Sequence, residues 1–367
     1  MMPVSVQVAS PADDPAIRRL LRRQSMPGRV TVTFEREPDF ALGCAVTGED
    51  CRILVARSEQ NEIVGVACRS LRNVFINGRE QRLGYLGQLR VDDRYRGRWL
   101  VSRGFSLLRD LHEGTGVPAY FAAIVGGNPE ATGVLVEKRR KRFPEFHAVA
   151  DYCTLAIDLH RPRPPLPCDV QLSLADPTEL AEIAQFLRSQ GAKRQFFPVW
   201  DEPSLGKLSA YGLRPHDIVV ARRDAQIVGT AALWDQSAYK QTVIRAYSGW
   251  LKAVSPLWNW SAPFLGRGPL PRLGEMIRSV HASLLCVAND DTAVFAALLR
   301  ELYGLSRSRG FRYLMLGLDA QDPLLVSARS YPHILYPSRL YLAEWSDGGH
   351  LHEQLERRPA YVDIATL

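Results

Sequence analysis

Arginines and a glycine stand where the chain changes from a strand pattern to a helix pattern. Residues 85–105 read YLGQLRVDDRYRGRWLVSRGF, with Arg96, Gly97 and Arg98 at the change. Arginine side chains donate charge-assisted hydrogen bonds to phosphate oxygens, and the first N–H groups of a helix lack partners inside it. The sequence therefore predicts a phosphate-binding turn. The alternative is a solvated basic loop in which Trp99 anchors the core.

A capped helix start follows in residues 126–144, which read GGNPEATGVLVEKRRKRFP. Asn128 followed by Pro129 is typical of an N-cap and a first helical position. The apolar run before it, YFAAIV at residues 120–125, is typical of a buried strand. We therefore predict a strand, a tight turn and a helix, with Asn128 as the cap.

Apolar periodicity and turn residues predict the other elements. In the first half we expect strands at 4–9, 52–58, 63–75, 81–91, 120–125 and 147–159, and helices at 14–24, 98–112 and 129–138. In the second half we expect a hairpin, a helix at 292–308, a strand at 311–318, a short helix at 323–330 and a strand at 339–345.

The two halves share a pattern. Residues 52–67 read RILVARSEQNEIVGVA and residues 217–232 read DIVVARRDAQIVGTAA, each a hairpin signature. Between the halves lies HRPRPPLPC, whose prolines favour an extended linker. We predict two similar α+β domains at residues 1–159 and 169–347, joined by a linker at 160–168 and followed by a tail at 348–367.

This order of elements resembles the GNAT superfamily, whose members transfer an acyl group from acyl-CoA, usually to an amine. The family's turn often reads V-x-P-x-Y-R-G-x-G-[IL]-G, and residues 91–101 here read VDDRYRGRWLV. Residues 128–138, NPEATGVLVEK, resemble the family's N-x-x-A…L-Y-E-K segment. The resemblance implies two tandem GNAT-like domains, each with a mixed, mostly antiparallel central sheet flanked by helices. It covers the first half and, more faintly, the second.

The resemblance implies a cofactor, acetyl-CoA or another acyl-CoA, bound by the first half without a metal. A strand end that splays from its neighbour leaves backbone groups for pantetheine, and the next helix start faces the pyrophosphate. The residues predicted to bind the cofactor are Leu89, Arg90, Val91, Arg96, Gly97, Arg98, Trp99, Leu100 and Asn128.

The candidate catalytic residues depart from the family pattern. Gln88 stands where relatives often have an acidic residue facing the amine, and it can orient a substrate but cannot accept a proton. Val136 replaces the tyrosine that protonates the departing thiolate in many members. Tyr152 or Tyr85 is the alternative acid, although each is also typical of a half-buried strand tyrosine. Trp99 and Val101 replace residues that are usually small.

Other unusual segments have two interpretations each. The basic run EKRRKRF at residues 137–143 is a solvated helix end, or it contacts the CoA 3′-phosphate, an acidic substrate or RNA. Trp250, Trp258 and Trp260 form a lid or acyl-chain pocket, or they pack against the neighbouring domain. Asp290 and Asp291 occupy the turn of the second half and would repel a pyrophosphate. We expect that half to complete the acceptor pocket or a domain interface.

Composition narrows the protein class. The chain has 367 residues, 46% of them hydrophobic, and no apolar run near the roughly 20 residues of a membrane span. Six scattered cysteines without CxxC pairs are typical of reduced thiols in a cytoplasmic protein without a zinc site. A net charge of +7 favours acidic partners without choosing among them. Oligomeric state is not predicted.

The sequence thus predicts an acyl-CoA-dependent N-acyltransferase that acts on an amine of a small molecule or peptide. Two alternatives stay open. One is an aminoacyl or peptidyl transferase that uses charged tRNA, although nucleic acid is not the favoured partner. The other is a non-catalytic acyl-CoA-binding protein, which the missing acid and base would suit.

Overall fold

One long sheet runs through the whole molecule. The computed structural model describes residues 4–26, 28, 30–96, 98–137, 143–249 and 270–367, without the side chains of Arg98 and Trp99. The strands are Val4–Val8 (β1), Val30–Glu35 (β2), Glu49–Ser58 (β3), Ile63–Ile76 (β4), Arg79–Val91 (β5), Tyr120–Val125 (β6), Glu145–Asp158 (β7), Gln171–Leu174 (β8), Ile218–Arg223 (β9), Gln226–Trp234 (β10), Gln241–Tyr247 (β11), Ser279–Val287 (β12), Tyr313–Asp319 (β13) and His333–Glu344 (β14).

Eight α-helices are described beside the sheet. They are Asp14–Arg23 (α1), Phe40–Ala45 (α2), Arg98–His112 (α3), Pro129–Leu135 (α4), Leu180–Gly191 (α5), Glu202–Lys207 (α6), Thr292–Ser308 (α7) and Leu325–Arg329 (α8). The predicted bounds of α3, β6 and α7 are those of the structure. The prediction omitted β2, α2, α6 and β11, whose short sequences carry weak periodicity.

The twelve strands of the main sheet follow the order β1-β3-β4-β5-β6-β14-β7-β13-β12-β10-β9-β8. Each half contributes an antiparallel series that ends in one parallel pair, β5 with β6 and β12 with β13. All other neighbours are antiparallel. The predicted α+β class, with a mixed, mostly antiparallel sheet flanked by helices, is confirmed.

The last strands of the two halves are exchanged. Strand β14, from the end of the chain, lies between β6 and β7 and pairs with both of them. Strand β7, from the first half, pairs on its other side with β13 of the second half. Each half therefore completes its sheet with a strand of the other. The predicted domain boundaries stay predictions, since the two halves share one hydrogen-bonded sheet.

A separate two-stranded ribbon also joins the halves. Strand β2 pairs with β11 in antiparallel register from Val30↔Tyr247 to Glu35↔Gln241. It places the segment between β2 and α2 beside the second half. That segment carries Arg36.

A helix covers one face of the central strands. Helix α3 packs Phe105 and Leu108 against Tyr120 and Trp345 on one face. Gly84 is required there, because a Cβ at this position would lie 2.1 Å from Cδ1 of Tyr120. No helix among the described residues has the length and apolar character needed to cross a membrane.

Candidate functional site

The parallel strands β5 and β6 part after only three residue pairs. Gly84, Tyr85 and Leu86 pair with Tyr120, Phe121 and Ala122. Beyond Leu86 the two strands have no pairing with each other, although β5 continues to Val91 and β6 to Val125. We call this opening the first gap. Its edges are backbone groups that β5 and β6 do not satisfy for each other.

A bulge in β5 marks the middle of the first gap. The pairing of β4 with β5 shifts between Val66 and Cys68, which leaves an extra residue on β5. Gln88 lies there with a φ of +57°, a conformation that non-glycine residues rarely adopt. The next residue, Leu89, is 39% exposed. The bulge therefore turns the backbone of β5 at the centre of the gap.

The mouth of the first gap carries charged groups from both strand ends. Arg96 donates to both carboxylate oxygens of Glu130, at 2.8 and 2.6 Å, and also lies 2.7 Å from Asp93. The helix α3 begins two residues after Arg96. Asn128 caps α4, because its Oδ1 accepts a hydrogen bond from the N–H of Ala131 at 3.0 Å. The predicted turn thus lies at the end of a strand gap and next to a helix start.

The other predicted cofactor residues have these positions. Arg90 is half-buried and donates to the carbonyl oxygen of Leu89 at 2.8 Å, and burial lowers its pKa. Leu100 is half-buried on α3, and its Cδ2 lies 3.6 Å from where a Cβ on Gly65 would be. Gly97 lies outside the described residues, as do the side chains of Arg98 and Trp99. Residues 138–142 and the three tryptophans Trp250, Trp258 and Trp260 also lie outside them.

The two candidate tyrosines are both buried. The hydroxyl of Tyr152 donates to the carbonyl of Val362 at 2.7 Å and accepts from its N–H at 3.2 Å, and burial raises its pKa. Tyr85 stacks on Phe121, and burial raises its pKa too. A Cβ on Gly87 would lie 2.7 Å from the Tyr85 hydroxyl, so this ring leans along β5 towards the gap. The geometry gives Tyr152 a structural task, and its catalytic role stays a prediction.

The second half has an equivalent opening that is filled. Strands β12 and β13 also share only three pairs, the last of them His281↔Met315. Leu284, three residues before Val287, has a φ of +49°, as Gln88 has three residues before Val91. We call this opening the second gap. Tyr361, Asp363 and Ile364, from the chain's last segment, lie in it.

Side chains of this segment replace the missing strand contacts. A carboxylate oxygen of Asp363 accepts from the N–H of Leu284 at 3.1 Å and from the hydroxyl of Ser283. The hydroxyl of Tyr361 accepts from the N–H of Leu285 at 3.2 Å. Ile364 packs on Gly317, where a Cβ would lie 2.3 Å from its Cγ2. The second gap is therefore closed by the protein itself.

The acidic turn of the second half also has structural partners. Asp290 pairs with Arg194, which is bound to Asp322 as well. Asp291 caps α7 by accepting from the N–H groups of Ala293 and Val294 at 2.9 and 3.2 Å. The predicted lack of a cofactor in this half stays a prediction that these contacts support.

Possible metal ligands lie apart from both gaps. Among the described residues, Glu344, His350 and His352 bring one ligand atom each within 4.8 Å of the others. His352 Nδ1 lies 3.2 Å from Glu344, an ordinary hydrogen-bond distance. The buried thiols of Cys44 and Cys68 lie 3.1 Å apart.

Two features of the site were absent from the prediction. The sequence predicts only a tail at 348–367, although the residues YVDIAT within it alternate in a way typical of a strand-like segment. The basic residues Arg36 and Arg72 also lie near Tyr85, from two separate parts of the chain. No sequence spacing could have connected them.

Comparison with known proteins identifies the fold. A GCN5-related glucosamine N-acetyltransferase region of a fungal multi-domain GH3 beta-N-acetylglucosaminidase superposes with a TM-score of 0.61 at 14% identity, over 93% of this chain and 38% of that one. A GCN5-related N-acetyltransferase from Sphaerobacter thermophilus covers all of both chains with a TM-score of 0.57 at 16% identity. Saccharomyces cerevisiae N-myristoyltransferase with bound myristoyl-CoA gives 0.62 at 8% identity, over 92% and 82% of the chains.

No family model and no curated protein matches the sequence. At these low identities the structural likeness establishes the fold. The chain has the fold of the GCN5-related N-acetyltransferases, and the resemblance drawn from the Arg–Gly turn is confirmed at that level. It spans 38% of the fungal protein, so the activity of that whole protein is not transferred to it.

Proposed function

We propose that the protein transfers an acyl group from acyl-CoA to an amine of a small molecule or peptide, and that the first gap holds the cofactor. One observation carries the proposal: the molecule has two equivalent gaps, and its own chain fills the second while β5 and β6 leave the first unpaired. The structural neighbours with this fold include two N-acetyltransferases and a myristoyl-CoA-bound N-myristoyltransferase.

The contacts in the second gap serve as a guide to how the first gap would bind a ligand. In the second gap Asp363, which caps the short 3-10 helix Ile364–Thr366, sets a carboxylate oxygen on the N–H of the bulge residue Leu284. The equivalent residue in the first gap is Gln88. We infer that an extended pantetheine chain lies between β5 and β6, with a carbonyl oxygen near the bulge. Backbone donors placed in this way stabilise negative charge on such an oxygen.

The residues at the mouth fit the phosphate end of the cofactor. Arg96 lies beside the start of α3, where helix N–H groups face an anion. In the structure Arg96 is bound to Glu130 and Asp93, so a phosphate must compete with these carboxylates. Because this pair is exposed, its contribution is small, on the order of 0–1 kcal/mol, and a phosphate can displace it.

Acyl-CoA supplies a thioester whose acyl carbon reacts with the amine, which forms a C–N bond and breaks the C–S bond. The amine nitrogen gives up a proton, and CoA leaves as the free thiol. The chain's own part is to align the two reactants, and alignment alone supplies much of the acceleration in such reactions. We propose that Gln88 orients the acceptor amine from the bulge. We further propose that the donor is acetyl-CoA and that the protein is cytoplasmic.

The test is a titration of the purified protein with acyl-CoAs from acetyl to myristoyl. We expect binding by the wild type and a loss of at least tenfold in the double variant Arg96→Ala/Arg98→Ala, since two charge-assisted contacts are removed. Arg188→Ala is the control. It also removes an arginine from an ion pair, with Glu80, but this arginine lies on α5 and not at the Arg96 turn. No binding of any acyl-CoA by the wild type would refute the proposal.

A thiol-release assay with a panel of amines then separates an enzyme from a binding protein. Acyl-CoA-dependent release of free thiol with at least one amine is the expected result. Absorbance at 260 nm and mass spectrometry of the purified protein show whether it carries CoA or RNA. Bound tRNA together with no affinity for acyl-CoA would favour the aminoacyl-transferase alternative instead.

A further inference from the structure

Two glutamates and three histidines gather where β7 and β14 meet at one end of these strands. Glu344 is the last residue of β14 and pairs directly with Glu145, the first residue of β7. His147 lies two residues further along β7, so its side chain is on the same face as both glutamates. The short segment after β14 adds His350 and His352. We call these five residues the His–Glu cluster.

Three members of the cluster have the geometry of metal ligands. Glu344, His350 and His352 each bring one ligand atom within 4.8 Å of the other two. Two ligands of a tetrahedral Zn²⁺ lie about 3.3 Å apart, because each bond is roughly 2.0–2.1 Å long. Nδ1 of His352 lies 3.2 Å from a carboxylate oxygen of Glu344, so this pair already has that spacing. His350 is exposed and needs at most a small shift to reach the same spacing.

Glu344 is a buried carboxylate without a lysine or arginine beside it. It is 3% exposed, and within the described residues its one charged-group partner inside 4.0 Å is His352. It also accepts a hydrogen bond from the backbone N–H of His352 at 2.9 Å. A neutral histidine donates a hydrogen bond but brings no positive charge. Because buried charges in proteins are paired or bind metal ions, a cation beside Glu344 would stabilise it.

Two further carboxylates increase the negative charge at this place. Glu145 lies directly opposite Glu344, and Glu353 follows His352 in the chain. In the part of the chain that the structure describes, their charged-group neighbours are histidines, at 4.0 Å from Glu145 and at 3.8 Å from Glu353. Like charges directly opposite each other on paired strands destabilise a sheet. A divalent cation at Glu344 would offset this repulsion.

His147 holds the ring of His352 in place. The two rings are stacked, with their centroids 3.4 Å apart and their planes at 9° to each other. The in-plane lone pairs of parallel rings run side by side, so the two rings cannot both direct a nitrogen at one ion. His147 is therefore a positioning residue and not a ligand. It fixes the plane of the His352 ring and thus the direction in which its nitrogen faces Glu344.

The cluster lies at the opposite end of β6 from the first gap. Ala343 of β14 pairs with Tyr120, the first residue of β6, whereas the gap opens beyond Ala122. An ion in the cluster would therefore not touch a cofactor bound in that gap. The cluster is a second site, separate from the one proposed for acyl-CoA.

We propose that Glu344, His350 and His352 bind a divalent transition-metal ion, for which Zn²⁺ is the best fit. Two imidazole nitrogens with one carboxylate suit Zn²⁺, whereas Mg²⁺ and Ca²⁺ prefer oxygen ligands throughout. Three protein ligands leave a fourth position for water. The ion fastens the segment after β14 to the end of that strand. The same segment carries Asp347, which pairs with Arg109 of α3, so the ion also stabilises the packing of this helix.

The test is a calorimetric titration of the full chain with Zn²⁺, without a histidine tag, after EDTA treatment and under reducing conditions. We expect one site with a Kd below about 1 μM. Glu344→Gln and His350→Asn should each weaken binding at least tenfold. Asparagine is chosen because His350 has a φ of +48°, a conformation that asparagine adopts readily. His216→Gln, which removes an exposed histidine elsewhere, should bind as the wild type does.

Thermal melting gives a second measurement and shows whether each variant is folded. Zn²⁺ at about 100 times its wild-type Kd should raise the melting temperature of the wild type by about 3 °C. The same concentration should raise that of His350→Asn by about half as much or less. Because His350 is exposed, this variant keeps the test decisive even where Glu344→Gln does not fold.

Co²⁺ in place of Zn²⁺ identifies the ligands by absorption. Two histidines and a glutamate give visible d–d bands without the near-ultraviolet charge transfer of Co²⁺–thiolate bonds. Three results would overturn the inference: a wild-type Kd for Zn²⁺ above about 1 μM, an affinity that His350→Asn leaves unchanged, and thiolate charge transfer, which would place the ion on the cysteines. None of these measurements involves acyl-CoA, so they stand apart from the proposed function.

Discussion

Asp363 accepts a hydrogen bond from the backbone N–H of Leu284 at 3.1 Å, at the residue where β12 bulges. This contact closes the second gap with a segment from the end of the described chain. Gln88 occupies the same place in the first half, three residues before a valine in each case. The two halves therefore repeat one backbone feature and use it differently.

Replacing Asp363 with alanine should loosen the closed gap. The N–H of Leu284 and the hydroxyl of Ser283 would lose their acceptor, and we expect the free energy of unfolding to fall by about 2–4 kcal/mol. Asp363→Asn keeps one acceptor oxygen and should cost less. Urea denaturation of both variants measures the difference. Equal stability of the alanine variant and the wild type would show that the contact contributes nothing.

Separating the halves should prevent the first from folding. Residues 1–159 alone lack β14, which lies between β6 and β7 and pairs with both. We expect this fragment to show no cooperative unfolding transition, because β6 and β7 would then be left without the strand between them. Co-expression with residues 160–367 should restore a folded complex. A fragment that unfolds cooperatively by itself would contradict the importance of the strand exchange.

Glu130→Gln should strengthen acyl-CoA binding. Arg96 donates to Glu130 at 2.8 and 2.6 Å, so removal of that carboxylate charge frees the guanidinium for a phosphate. The expected gain is about two- to fivefold in Kd, the range of an exposed ion pair. Calorimetry with the acyl-CoA that binds best measures this change in Kd. Glu80→Gln, at the opposite end of β5 from the Arg96 turn, is the control. Weaker binding in Glu130→Gln would show that the glutamate itself contacts the cofactor.

Acid should destabilise the protein through His281. Burial, together with the charge of Lys240, lowers the pKa of His281 to about 3 from 6.5. The unfolded chain then binds more protons than the folded one between these values. The stability that depends on neutral His281 is complete above pH 6.5 and falls by about 1.4 kcal/mol per pH unit below it.

His281→Gln should remove this part of the pH dependence. Urea denaturation at pH 7, 6 and 5 measures the slope for the wild type and the variant. His216→Gln changes an exposed histidine and should leave the slope as it is. A wild-type slope that is unchanged in His281→Gln would place the acid sensitivity elsewhere.

The sequence alone determined the local elements and their order. Local patterns predicted helices and strands close to their observed bounds. These patterns are the periodicity of residues 98–112 and 292–308, the helix start at Asn128–Pro129 and the two hairpin signatures. These signals are local, since side-chain period and capping depend on neighbours within a few residues. The Arg96 turn was recognised for the same reason, as was the repeat of the two halves.

Tertiary structure decided which strands exchange, which gap is filled and which charges meet. The sequence patterns of β7 and β14 do not reveal their exchange. Hydrophobic alternation shows that a segment is a strand, but it does not specify which strand pairs with it. Asp363 reaches Leu284 across 79 residues of sequence, and Arg36 meets Lys240 through the β2–β11 ribbon. Such contacts depend on how distant segments pack, and the burial that makes them energetically important does not exist until the fold is complete.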